Sequence, residues 1–217
     1  MAGLRRSCAV VALVVTAVTL AACTAVVPGR AVRAAGRSPT PISARDLLLH
    51  DGDRTPLGPA AAMEVGGNYF TSARPPECSA ALLFKGSPLR PPGSSDFAES
   101  AYRVDGPALY AESVDVYSNS LNPHDVVWTG FRAVSGCHGE AIPVSPSGAF
   151  APMQLSEFAI PEDGVLAWTM THPNWTCSYG LAVVPQVALL ISACDSAPGF
   201  PVAEWSAKRK AQIDART

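Results

Sequence analysis

A single α/β (α+β) domain, built as an antiparallel sheet flanked by helices and stapled by disulfides, is the fold class this 217-residue sequence predicts. Three stretches carry that expectation. "GVLAWTMT", Gly164 to Thr171, alternates Leu166, Trp168 and Met170, the period of a strand. "WTCSYGLAVVPQVALLISACD", Trp175 to Asp195, sets two apolar runs around Pro185-Gln186, as a hairpin does. "PHDVVWTGFRAVS", Pro123 to Ser135, repeats Val127, Phe131 and Val134 at helical spacing behind a proline that suits a first turn.

Taken along the chain, Ser43 reads as the cap of a short helix over "ARDLLLH", with Leu47, Leu48 and Leu49 turned to a core. "PPECSAALLFK", Pro75 to Lys85, reads as a second helix opened by proline, with Cys78, Ala81 and Leu82 on one side. Pro88, Pro91 and Pro92 with the Gly-Ser-Ser after them break every period, so Lys85 to Glu99 reads as a loop. "ALYAESVDVYS", Ala108 to Ser118, alternates as a half-buried strand. The Pro123 helix stops at Gly136 and delivers Cys137, and "PVAEWSAKRKAQIDA" from Pro201 closes the chain as a helix with Val202, Trp205 and Ile213 on one face.

The chain opens with an export signature. Arg5 and Arg6 form a basic n-region, Cys8 to Leu20 is an apolar h-region, and Leu20-Ala21-Ala22-Cys23 has the order of a bacterial lipobox. The expected organisation is a signal peptide over 1–22, a lipidated Cys23 with a tether over 23–42, and the folded domain over 43–217. An uncleaved anchor over Ala9 to Val27 is the competing reading of the same apolar run. Either way the remaining chain lies outside the membrane, at its extracytoplasmic face.

Six cysteines, at 8, 23, 78, 137, 177 and 194, lack the two-residue spacing of zinc knuckles and thioredoxin motifs, so no metal and no cofactor is expected. In an exported chain they favour disulfides. A two-residue turn at Pro185-Gln186 sets Cys177 directly across from Cys194, in a non-hydrogen-bonded pair whose Cα atoms lie about 4.5 Å apart, within disulfide reach. Removing 1–22 and the arginines at 30, 33 and 37 leaves 11 basic against 18 acidic residues, which disfavours a nucleic-acid partner. No G-x-S-x-G, H-E-x-x-H or phosphate-binding loop occurs, and His138-Gly139-Glu140 lacks the cysteine pair of a zinc deaminase.

"DLLL" near the mature start, "PPEC" at Pro75 to Cys78, Cys137 after a strand and a helix, then "WTCSYGLAV" and "VALLISAC" together resemble the PknH-like extracytoplasmic sensor domain of mycobacteria. The resemblance covers Ser43 to Ala215. It implies a mixed α/β fold with a cleft and two disulfides, Cys78 with Cys137 and Cys177 with Cys194. The chain departs from the family in lacking a tryptophan beside Cys137 and a polar hairpin tip. No kinase part is present, so signalling would pass through a partner.

Three functions compete: a membrane-anchored lipoprotein that binds a small or envelope-derived ligand, a docking module for another envelope protein, and a cell-wall hydrolase. With no histidine in a catalytic motif, binding rather than catalysis is expected. The surface expected to bind lies beside Trp168, Trp175 and Tyr179, with His172 and Asn174 in the intervening loop as polar contacts.

Overall fold

Alternating side chains on a strand face opposite ways, so a sheet whose strands are apolar at every position must be covered on both faces. The computed structural model, which describes residues 42–66, 69–197 and 199–217, has that arrangement. Its central strands are β10 (Val165–His172), β11 (Trp175–Val184) and β12 (Val187–Asp195), preceded in the chain by β5 (Asp96–Arg103) and β6 (Leu109–Val116). Shorter strands complete the sheet: β3 (Ala61–Met63), β4 (Ser72–Arg74), β7 (Glu140–Ser145), β8 (Gly148–Ala149) and the long β9 (Met153–Glu162). The spatial order is β3-β5-β6-β12-β11-β10-β9-β7-β4, antiparallel throughout, with β8 paired to β7. A separate two-stranded ribbon joins β1 (Arg54–Thr55) to β2 (Gly58–Pro59).

One face carries α1 (Ala44–Leu47) and α4 (Val202–Asp214), packed on Tyr110, Val114, Ala182, Leu189 and Ile191. The other carries α2 (Ser79–Leu82) and α3 (Pro123–Ser135), packed on Leu166, Trp168, Tyr179, Leu181 and Leu190. The antiparallel sheet with flanking helices and two disulfides is therefore the observed fold. Both cores and both disulfides lie within residues 42–217, a compact unit that holds its own fold.

The central hairpin has the register the sequence predicts. Val184 pairs with Val187 and Cys177 with Cys194. Pro185-Gln186 is a poor hairpin turn by residue preference, yet its carbonyls accept hydrogen bonds from Leu121 N–H (2.6 Å) and Tyr117 N–H (2.8 Å), the segment that leads into α3. That helix starts as expected, with Pro123 in its first turn and the Asn122 side chain accepting from Asp125 N–H.

Four expectations need correction. Leu109–Val116 is buried on both faces, because α4 covers the side bearing Glu112 and the Pro88–Pro92 segment sends Arg90 to Asp115 on the other. The loop proposed for Lys85 to Glu99 ends at Ser95, because Asp96 to Glu99 pair with β6. Ser43 makes no cap with its side chain; the Ala44 N–H donates instead to Asp96 Oδ2 at 2.8 Å. Pro75 to Lys85 is a single 3-10 turn (Pro76–Cys78) and then the four-residue α2, not one helix.

Close packing of α4 depends on a missing side chain. A Cβ at Gly180 would collide with Ser206, so β11 offers the helix a notch at that point. Beyond the notch Arg209 is 2 % exposed and Glu112 is fully buried. The guanidinium grips the carboxylate through Nε–Oε1 (2.8 Å) and Nη2–Oε2 (2.9 Å), and also donates to the Leu47 carbonyl and to Gln212 Oε1. Tyr110 Oη donates to Glu112 Oε1 at 2.7 Å and accepts from Trp205 Nε1 at 2.6 Å. Burial alone would lower the Arg209 pKa, but the charge and hydrogen bonds of Glu112 outweigh it and the net shift is upward. Burial, then Glu112, pushes the Tyr110 phenol well above its ordinary value. The network joins α1, β6 and α4 through charges that water does not reach.

Breaking one partner of such a pair strands the other in the core. Glu112→Gln in residues 42–217 is expected to lower unfolding stability by about 3–5 kcal/mol in urea titration, and Glu112→Leu with Arg209→Met to recover most of that loss.

Candidate functional site

Trp168 and Tyr179 face each other across β10 and β11, stacked with ring centres 5.4 Å apart. Each is buried, and each uses its polar tip on α2: Trp168 Nε1–H donates to the Ala81 carbonyl and Tyr179 Oη–H to the Leu82 carbonyl, both at 2.9 Å. A four-residue helix leaves its last carbonyls unpaired, and these two donors satisfy them from the sheet. The Cys78–Cys137 disulfide ties the start of α2 to the turn after α3, with Cα atoms 4.5 Å apart. The helix is thereby fixed at both ends, and Leu82 and Phe84 are held against the end of the sheet.

A cavity of ≈230 Å³ opens where they stop. Its floor is Leu109, Tyr179, Ser192 and Cys194, from three adjacent strands, and its walls include Phe84, Phe70, Trp175 and Phe150. Cys177 and Cys194 close the disulfide beside it, Cα atoms 4.0 Å apart, nearer than the spacing expected from sequence. Tyr69 also lines the cavity, its ring 5.0 Å from Phe84, and burial, then the charge of Glu99, raises the pKa of its phenol. A second hollow of ≈290 Å³ adjoins the first and shares Phe70, Phe150 and Trp175 with it; Met153 and His172 complete most of its lining. No aspartate, glutamate, lysine or arginine lines either chamber among the described residues.

The residues expected at the site divide accordingly. Trp175, Tyr179 and His172 line the chambers. Asn174 is exposed in the β10–β11 turn and lines neither; its N–H donates to His172 Nδ1 at 3.3 Å, which leaves the ring's Nε2 as the free position. Trp168, 1 % exposed, lines neither chamber, and its indole is tied to α2 through the Ala81 carbonyl. Tyr69, Phe70 and Phe150 lie in irregular segments where no period marks them, and Phe84 falls in the stretch expected as a helix, where nothing sets it apart from a core residue. Cys23 lies outside the described residues. Among the described residues no group of three metal-ligating side chains occurs, and no helix is long and apolar enough to cross a membrane.

Lipoprotein LprH of Mycobacterium tuberculosis and that of Mycobacterium bovis are each 62% identical to the chain over 210 residues, covering 94% of it and 92% of their own length. The chain belongs to the LprH lipoprotein family. No family model matches it. The crystal structure of the extracellular domain of PknH from M. tuberculosis superposes with a TM-score of 0.58, covering 81% of this chain and 98% of that one at 12% identity. The expected resemblance to the PknH extracellular domain is therefore present as a shared fold.

The Trp168 N–H and the Tyr179 O–H tie α2 to the sheet. Trp168→Phe, which keeps one aromatic ring but removes the N–H with the rest of the indole, is expected to cost about 2–4 kcal/mol in urea unfolding, by stranding the Ala81 carbonyl and leaving a cavity.

Proposed function

We propose that the protein is an envelope lipoprotein whose head, residues 42–217, binds a small apolar molecule in the aromatic cleft at the end of the sheet. The observation that carries this reading is the cleft itself: an apolar hollow built on disulfide-anchored strands, with Tyr179, Trp175 and His172 converging on it. Ligand sites are characteristically apolar and concave, with a few placed polar groups. A rigid frame favours binding by reducing the ordering cost. The domain shares its fold with the extracellular domain of PknH.

A docking function is the second reading, and one feature favours it. On α3 the exposed Trp128 lies 5.2 Å from Phe131, which stacks on Phe158 of β9 at 4.2 Å, while His124 lies 5.9 Å from Trp128 and pairs with Asp163. Such an exposed aromatic ridge is a surface on which another envelope protein would seat.

In this reading Cys23 is acylated after cleavage at Ala22, and 23–42 tethers the head at the extracytoplasmic face of the cell membrane. One acyl chain anchors weakly, so two or three are expected. Labelled fatty acid fed to cells should mark the wild type and leave Cys23→Ala unmarked; equal labelling of both would remove the anchor.

The cleft is tested with N-phenyl-1-naphthylamine, an uncharged probe that brightens in apolar surroundings. Residues 42–217 are expected to enhance its fluorescence saturably, and Trp175→Ala to weaken the affinity about tenfold by deleting a shared wall. Trp128→Ala is expected to leave it unchanged. Saturable binding lost in Trp128→Ala and kept in Trp175→Ala would move the function to the ridge.

A further inference from the structure

Resting on that reading, we infer that the ligand is an elongated, uncharged lipid with an ester or hydroxyl oxygen, lying through both chambers beneath Phe150. Three observations lead there. The first is the shape of the space. The chambers of ≈230 and ≈290 Å³ share three lining side chains, Phe70, Trp175 and Phe150. At roughly 30 Å³ for each water-sized group, they accept about 8 and about 10 non-hydrogen atoms. A single chain longer than either chamber must therefore pass the partition.

The second is the character of the partition. Phe70 is 5 % exposed, and Trp175 is half-buried at the start of β11, opposite His172 in the sheet. Phe150, in contrast, is 45 % exposed and sits within a run of exposed residues from Pro146 to Pro152. Its ring meets Phe70 edge-on at 5.2 Å, and its N–H is held by the Pro143 carbonyl at 2.8 Å. The backbone is pinned and the side chain is not, so rotation about the Cα–Cβ bond joins the two chambers without moving the sheet. Exposed side chains make such flips in picoseconds to nanoseconds.

The third is the chemistry of the walls. With no lysine or arginine in the lining, a carboxylate or phosphate inside would be desolvated with no permanent cation beside it, at high cost. One buried polar group points the other way. Ser192 is 1 % exposed and lines the inner chamber, and among the described residues its hydroxyl has only Cys194 Sγ, 3.9 Å away, as a partner. Sulfur is a weak acceptor, so this O–H is left to donate to a neutral oxygen of the ligand. His172 Nε2, freed by the Asn174 contact to Nδ1, offers a second donor at the outer chamber.

Displacement of N-phenyl-1-naphthylamine from residues 42–217 tests this with methyl myristate, methyl hexanoate and myristate. Methyl myristate should displace the probe best, and myristate about tenfold less well than its ester because its charge must be buried. Phe150→Trp, which fills the partition, should weaken methyl myristate about tenfold while methyl hexanoate, short enough for one chamber, is unaffected. Ser192→Ala should weaken methyl myristate about fivefold, the worth of one hydrogen bond. If Phe150→Trp alters both esters equally or neither, the two-chamber ligand is wrong although the cleft still binds. If myristate equals its ester, the neutral assignment is wrong. If the probe itself does not bind, the cleft reading fails and this inference with it.

Discussion

The register of the β11–β12 hairpin is the constraint on which the rest of this fold depends. A slip of one residue would turn every side chain of a strand to the opposite face. Here Cys177 opposite Cys194 fixes the open end covalently, while at the closed end the Pro185 and Gln186 carbonyls hold the segment entering α3. With that register set, Tyr179 and Leu181 turn to α2 and α3, and Gly180 and Ala182 turn to α4. Both helical layers take their places from one pair of strands.

The two faces are stabilised by different means. The α2–α3 face is mainly apolar and aromatic, and its polar tips end on helix carbonyls. The α4 face holds a charged pair at its centre, Arg209 with Glu112, and three further partners complete the guanidinium and carboxylate bonding. Charged groups satisfied to this degree contribute less to net stability than to uniqueness, since few alternative packings of α4 would meet all the donors. Gly180 adds a steric condition to the same end, because only at the notch can Ser206 approach the sheet.

What the sequence made legible was whatever obeyed a period or a count. The hairpin, α3, α4 and the 177–194 pairing follow from apolar spacing and from symmetry about two turn residues. Arg209 in "AKRKAQ" gave no such sign, since a basic run on a terminal helix reads as a solvated face and only the fold brings Glu112 to it from 97 residues away. Strands β7 and β9 were missed for a related reason. Both lie towards one side of the sheet; β9 exposes much of its surface, which dilutes its apolar pattern, and β7 is a short strand interrupted by Pro143. At the site, the residues on β11 were found and those in connecting segments were not. A cleft is formed by convergence of loops, and convergence has no linear signature.

The segment from Pro146 to Pro152, with Ser147 in the β7–β8 turn and Phe150 just after β8, stands apart from the elements that set the fold. Its residues from Pro146 to Pro152 are exposed, whereas the floor beneath them is made of strand residues committed to the core. Mutations therefore meet unequal resistance across one hollow: the base tolerates little, because each change there also disturbs a helix or a disulfide, and the rim tolerates much. Drift in this lineage would concentrate on the rim, and relatives with the same scaffold would come to differ in what they admit before they differ in shape.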